Sequence, residues 1–235
     1  MTAMFDRHLF TQIGLDSGAL TMLGSIVHSF GEPGEYRATV RSGELPEATF
    51  YISVDKACAV AHVNIDLAAL VNPDPDTSGC PPTADRYFVV HPKGYAVFHV
   101  SSGPGGYSVN VRRAEEDPEL KAYDSRRLEP GDIFSAILFR PGRYSVRNLL
   151  SEGGQSQGES RGEASVTVAY PVPGDTAYRP PPAAVADCGE RIEPRHIDLL
   201  PMQGLNLHVR VPGRIRIDLV EADDGPKSGD SAPDR

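Results

Sequence analysis

Tryptophan is absent from this sequence of 235 residues, which removes the strongest side-chain platform for stacking a sugar ring. Cysteine is scarce. Three are too few for the disulfide framework of a small secreted domain, so a reduced, cytoplasmic setting is the expectation. Basic residues are outnumbered, 23 Lys and Arg against 32 Asp and Glu, for a formal net charge of −9. Without a basic face, a nucleic-acid partner is not expected. No apolar run approaches the ~20 residues that span a bilayer as a helix, so membrane insertion is not expected. Residues 1–30 are interrupted by Asp6, Arg7 and Asp16 and hold no secretory apolar core. Catalytic signatures are missing too. There is no Gly-x-Ser-x-Gly elbow, no phosphate-cradling glycine loop opening a helix, and no nucleophile set beside a histidine in a recognisable context. The chain therefore reads as a non-enzyme.

What is present is turn chemistry and alternation. With 23 Gly and 21 Pro, the sequence carries many turns. One phrase organises them: Phe139-Arg140-Pro141-Gly142-Arg143-Tyr144-Ser145-Val146, a Pro-Gly turn running into an alternating strand. It recurs at Pro33-Gly34-Glu35-Tyr36, Pro104-Gly105-Gly106-Tyr107 and Pro212-Gly213-Arg214-Ile215. The first pair of prolines is separated by 104 − 33 = 71 positions and the second by 212 − 141 = 71, so the halves are offset by 141 − 33 = 108. Asp16-Ser17 and Asp124-Ser125 obey the same offset, as do Cys80 and Cys188. Repeats fix domain organisation before anything else, and these predict an internal duplication.

The expected organisation is a lead segment at 1–15, a first repeat at 16–112, a charged connector at 113–123, a second repeat at 124–221 and a polar, disordered tail at 222–235. Short alternating runs fill both repeats: Tyr36/Ala38/Val40, Phe50/Ile52/Val54, Val63/Ile65/Leu67 and a hairpin through Pro92-Lys93-Gly94 in the first. In the second, Ile133 to Phe139 is apolar on both faces, as a central strand buried on both sides, or one covered by the other domain, would be. About seven strands per repeat predicts an all-β fold of tandem duplicated β-sandwich domains, cupredoxin-like or Ig-like, with little helix.

Leu128-Glu129-Pro130-Gly131-Asp132-Ile133-Phe134, running through Phe139 to Val146, resembles the closing strands of cupredoxins. The stretch from Ile192 to Gly204 looks like their opening strand pair. The resemblance implies a sandwich. It implies no type 1 copper site, because Tyr144 is followed by Ser145, Val146, Arg147, Asn148, Leu149 and Leu150, with no Cys, His or Met.

Four sets of candidate residues remain. Cys58, His62, His91 and His99 would make a mixed Cys/His metal site if folding gathered them; otherwise Cys58 is a small buried hydrophobe and the histidines are strand residues. Beyond that metal, no cofactor is expected. Cys80 and Cys188 would face each other as an interdomain pair if the repeats packed about a pseudo-two-fold axis. Tyr87, Tyr95 and Tyr107 would form a ligand surface. Asp74 and Asp76 offer carboxylates for a calcium-binding loop, with a solvated turn as the competing reading. The function expected is that of a structural or protein-interaction subunit, docking a protein partner or itself. The alternatives are a small-ligand or glycan-binding module, and a metal-binding protein with a non-standard Cys/His site.

Overall fold

The structure, a computed structural model, describes residues 13–43, 45–72, 86–103, 105–114, 123–149, 163–169 and 179–224. Seventeen strands and one short helix lie in these stretches. One five-stranded sheet runs β9 (Tyr123–Asp124), β8 (Tyr107–Arg113), β3 (Gly34–Ser42), β4 (Ala48–Val54), β6 (Tyr87–Val90). A second runs β1 (Gly14–Asp16), β17 (Ile215–Ala222), β11 (Gly142–Asn148), β12 (Glu163–Val168), β15 (His196–Leu199). Between them in the topology lies a seven-stranded sheet. Its order is β14 (Ile192–Glu193), β13 (Ala184–Cys188), β16 (Gly204–Val209), β10 (Ile133–Ile137), β2 (Gly24–Ser29), β7 (Tyr95–His99), β5 (His62–Asp66).

Alternation sets the faces. In β3 the buried residues are Tyr36, Ala38, Val40 and Ser42, in β4 Ala48, Phe50, Ile52 and Val54, and in β16 Leu205, Leu207 and Val209. Each strand thus turns one side inward, with period two. The inward sides of all three sheets contribute to one continuous hydrophobic core. Phe98 of β7 stacks on Tyr123 of β9 at 5.7 Å, and Phe50 of β4 tilts against Phe98 at 6.5 Å, which joins the first five-stranded sheet to the central one.

The expected tandem sandwiches do not occur: the three sheets are arranged as a β-solenoid of about three turns. Two features of the pairing explain why neither half closes on itself. The central sheet draws β2, β5 and β7 from the first half and β10, β13, β14 and β16 from the second, joined where β2 pairs antiparallel with β10 from Ile133 opposite Val27 to Ala136 opposite Gly24. The short lead strands are also exchanged. β1 pairs with β17 of the second half, and β9 pairs with β8 of the first. Sequence alternation reports which side of a strand is buried. It does not report which neighbour supplies the hydrogen bonds, so this exchange is invisible to it.

The two five-stranded sheets match place for place. β9, β8, β3, β4 and β6 of one occupy the positions of β1, β17, β11, β12 and β15 of the other. The Pro-Gly turns behave alike. Tyr36 donates its hydroxyl hydrogen to the Glu32 carbonyl (2.8 Å), and Tyr144 donates to the Arg140 carbonyl (2.7 Å). Gly142 has φ +143°, and a Cβ there would collide with the Glu221 carbonyl oxygen, so only glycine fits.

The exchanged lead strand β1 is held by a two-pronged ion pair. Arg214 donates from Nε and Nη2 to Asp16 Oδ1 and Oδ2, each at 2.8 Å. Bidentate, charge-assisted geometry makes this stronger than an ordinary surface pair. That hydrogen bond also holds the Arg214 pKa above the ordinary guanidinium value. Gly18 leaves room for the guanidinium, since a Cβ there would stand 2.6 Å from Arg214 Nε. Arg214→Ala is expected to lower stability by about 1–2 kcal/mol, less than a buried pair because water screens part of it. Urea unfolding checks this, and Asp16→Ala added to Arg214→Ala should cost only the further loss of the Gly18 amide hydrogen bond to Asp16 Oδ1 (2.8 Å).

One strand ends in a way the alternation did not predict. Val63, Ile65 and Leu67 read as a single strand, but β5 stops at Asp66. Asp66 Oδ1 accepts hydrogen bonds from the amides of Ala68 (3.0 Å) and Ala69 (3.5 Å), capping helix α1 (Leu67–Val71). An aspartate followed by Leu-Ala-Ala-Leu combines a good N-cap with strong helix formers.

Candidate functional site

The structure does not gather the residues proposed for a metal into one cluster among the described residues. Cys58 lies in the loop between β4 and β5, its Sγ accepting from the Val60 amide at 3.4 Å. His62 opens β5 and stacks on Tyr95 at 5.4 Å, with the rings 13° from parallel. His91 lies in the turn after β6, where its Nδ1 accepts from the Lys93 amide at 3.1 Å. His99 ends β7. The parallel register of β5 and β7 sets His62 opposite Tyr95 and His99 opposite Asp66, so the two histidines lie at opposite ends of that pairing. Among the described residues, no group of three or more His, Cys, Asp or Glu side chains is placed to hold a metal ion.

Cys188 is buried on the inward side of β13, and its thiol pKa is pushed up to about 12, first by burial and then by the charge of Asp187. Its proposed partner Cys80 lies outside the described residues, as do Asp74 and Asp76. Of the three tyrosines, Tyr107 is fully buried, which takes it off any ligand surface. It is the first inward residue of β8, and its large ring fills the core between sheets. Tyr87 and Tyr95 remain exposed.

Tyr87 belongs to a row that sequence reasoning did not assemble. Across the outer face of the first five-stranded sheet, register places Arg112 opposite Arg37, Arg37 opposite Tyr51, and Tyr51 opposite Tyr87. Tyr51 is 42% exposed and Tyr87 48%, with ring centroids 6.4 Å apart. The row crosses four strands, a width of about 14 Å at normal strand spacing. Glu35 fixes its aromatic end, accepting from the Tyr87 hydroxyl at 2.7 Å and the Ser53 hydroxyl at 2.5 Å. That bond raises the Tyr87 pKa above the usual phenol value. At the other end the Arg37 guanidinium makes no hydrogen bond or ion pair among the described residues, while Arg112 donates from Nε to Asn110 Oδ1 at 3.2 Å.

Two like charges set directly opposite on a sheet repel, and register sets Arg37 facing Arg112. The second five-stranded sheet also sets two arginines opposite each other, Arg147 and Arg216, but one outward place along the strands from the equivalent row. Its matching row is Asp218, Ser145, Ser165 and His196. There Asp218 is neutralised by Arg147 (2.9 Å) and Arg216 (2.9 Å). Both faces thus carry an opposed arginine pair, the second binding it to Asp218 and the first setting it beside two exposed phenol rings.

The seam between β2 and β10 carries two more features. On its inner side His28 Nδ1 and Asp132 Oδ1 are 2.6 Å apart, and the His28 ring stacks on Tyr123 at 4.0 Å. Burial raises the Tyr123 pKa well above the usual phenol value, with Asp132 and Asp124 adding to the effect. On its outer side an open groove of about 320 Å³ crosses β7, β2, β10 and β16. No family model matches the chain, no curated protein matches it, and no solved structure matches its fold.

Proposed function

We propose that the chain is a non-enzymatic interaction protein that docks an acidic protein partner on the outer face of its first five-stranded sheet. The supporting observation is the row Arg112, Arg37, Tyr51 and Tyr87. Arg and Tyr are among the residues that carry most of the energy in protein interfaces. Tyrosine supplies broad, rigid contact area at low entropic cost, and a guanidinium pair matches a carboxylate bidentately. A carboxylate would give the Arg37 guanidinium, which makes no hydrogen bond or ion pair among the described residues, an opposite charge to bind. Against a net charge of −9, this local positive spot favours complementary docking in one orientation. The duplicated scaffold then supplies two similar sheets, of which one has been given over to recognition. Among the described residues no helix is long and apolar enough to cross a membrane, and a cytoplasmic setting is part of this proposal.

The test uses a labelled acidic peptide containing phenylalanine and tyrosine. Binding is expected to weaken with added salt and to fall about tenfold or more in Tyr51→Ala. Arg37→Ser installs the residue found at the matching place of the second sheet. It should abolish binding while leaving stability unchanged or raised by about 0.2–1 kcal/mol. Undiminished peptide binding by Arg37→Ser would remove the proposal, as would self-association of the chain through this face in place of peptide binding.

A further inference from the structure

The groove on the outer side of the β2–β10 seam has a chemistry of its own. Its polar side chains are Ser25, His99, Ser135 and Asn206, and its aliphatic walls include Met22 and Leu23. No Arg, Lys, Asp or Glu lines it. The polar residues are consecutive places in one cross-strand row, with Asn206 opposite Ser135, Ser135 opposite Ser25, and Ser25 opposite His99. The groove exists because two serines meet at the seam, where the next outward row carries the larger Val27 and Ile133. Ser135 donates to Asn206 Oδ1 at 2.8 Å, which leaves the Asn206 amide hydrogens pointing elsewhere. Neither the Ser25 hydroxyl nor the His99 ring makes a side-chain hydrogen bond among the described residues. All four polar residues are half-buried.

We infer that this groove binds an uncharged, polyhydroxylated small molecule of about the size of one sugar ring. Its volume falls at the low end of the ~300–1,000 Å³ typical of small-ligand sites. Hydroxyl, amide and imidazole groups offer both donors and acceptors to ligand hydroxyls, and the aliphatic walls receive the C–H face of a ring. A charged ligand would give up water without meeting an opposite charge, which is costly. The site is separate from the acidic-partner face, lying on the central sheet and built from strands of both halves.

The experiment is a thermal-shift and NMR titration of the full chain with glucose, galactose and mannose, alongside glucuronate and glucosamine as charged counterparts. At least one neutral hexose is expected to stabilise the protein saturably and to move the resonances of Ser25, Ser135 and Asn206, while the charged sugars do not. Ser25→Val and Asn206→Leu should each weaken that hexose about tenfold, and Ser25→Thr, which keeps the hydroxyl, should retain it. Circular dichroism confirms folding, and should Ser25→Val unfold, Asn206→Leu carries the test. Four results would overturn the inference: no saturable shift with millimolar neutral hexose, equal binding of glucuronate or glucosamine, undiminished binding by Asn206→Leu, or stabilisation by a neutral dipeptide amide in place of every hexose.

Discussion

Residues 13–114 expressed alone are expected not to fold. That segment holds the strands of the first half except for what the second half lends it. Without β9 it loses Tyr123, a buried ring that stacks on both His28 and Phe98. Without β10 the central strand β2 becomes an open edge over the pairing from Gly24 to Val27, and exposed strand edges invite aggregation. Its own lead strand β1 has no β17 to join. NMR of the fragment should show narrow amide dispersion, and urea should produce no cooperative transition. The full chain should unfold in one step, as a unit with a shared core does. A fragment with a sharp transition of its own would mean that the halves are independent after all.

Phe134→Ala is expected to cost about 3–5 kcal/mol, the range for deleting a fully buried ring from a tight core. Phe134 is one of the two inward residues of β10 and is completely buried. Its ring lies against the backbone of Gly24 across the seam, where an added Cβ would stand 3.3 Å from it. The neighbours are sheet residues held by hydrogen bonds on both sides, so they cannot collapse into the space left behind. A loss of this size is a large fraction of the ~5–15 kcal/mol that separates folded from unfolded domains. With no tryptophan in the chain, tyrosine emission follows unfolding, set against circular dichroism of the strands. Both signals should move together to lower denaturant. A biphasic curve, with one half surviving, would contradict a shared central sheet.

Much of this architecture was legible in the sequence, and the reasons for the rest are specific. The Pro-Gly phrases located β3, β8, β11 and β17, because a turn residue with fixed backbone demands leaves a signature at a fixed distance from its strand. The double-sided apolar run at Ile133 reads as a strand buried on both sides; β16 and β2 do flank β10, but its outer side is open and Ile137 is exposed. The exchange of β1 and β9 was not legible, since strands of three and two residues carry no periodicity. Tyr107 was misplaced because a tyrosine after a turn reads as surface until its phase in the strand is known. Tyr51 was overlooked for the converse reason. It sits between Phe50 and Ile52, whose alternation marks the inward face, while its own outward phase matters only because register brings Tyr87 beside it. Arg37 and Arg112 are 75 positions apart (112 − 37), and only the β3–β8 register makes them neighbours.

The recognition face rests on that register and on the difference between two similar sheets. Two-dimensional NMR of the full chain, titrated with the acidic aromatic peptide, tests this most directly. The account predicts that resonances of Arg37, Tyr51, Tyr87 and Arg112 move and saturate, while those of Ser145, Ser165, His196 and Asp218 stay in place. Shifts that appear equally on both sheets, or only on the second, would contradict it.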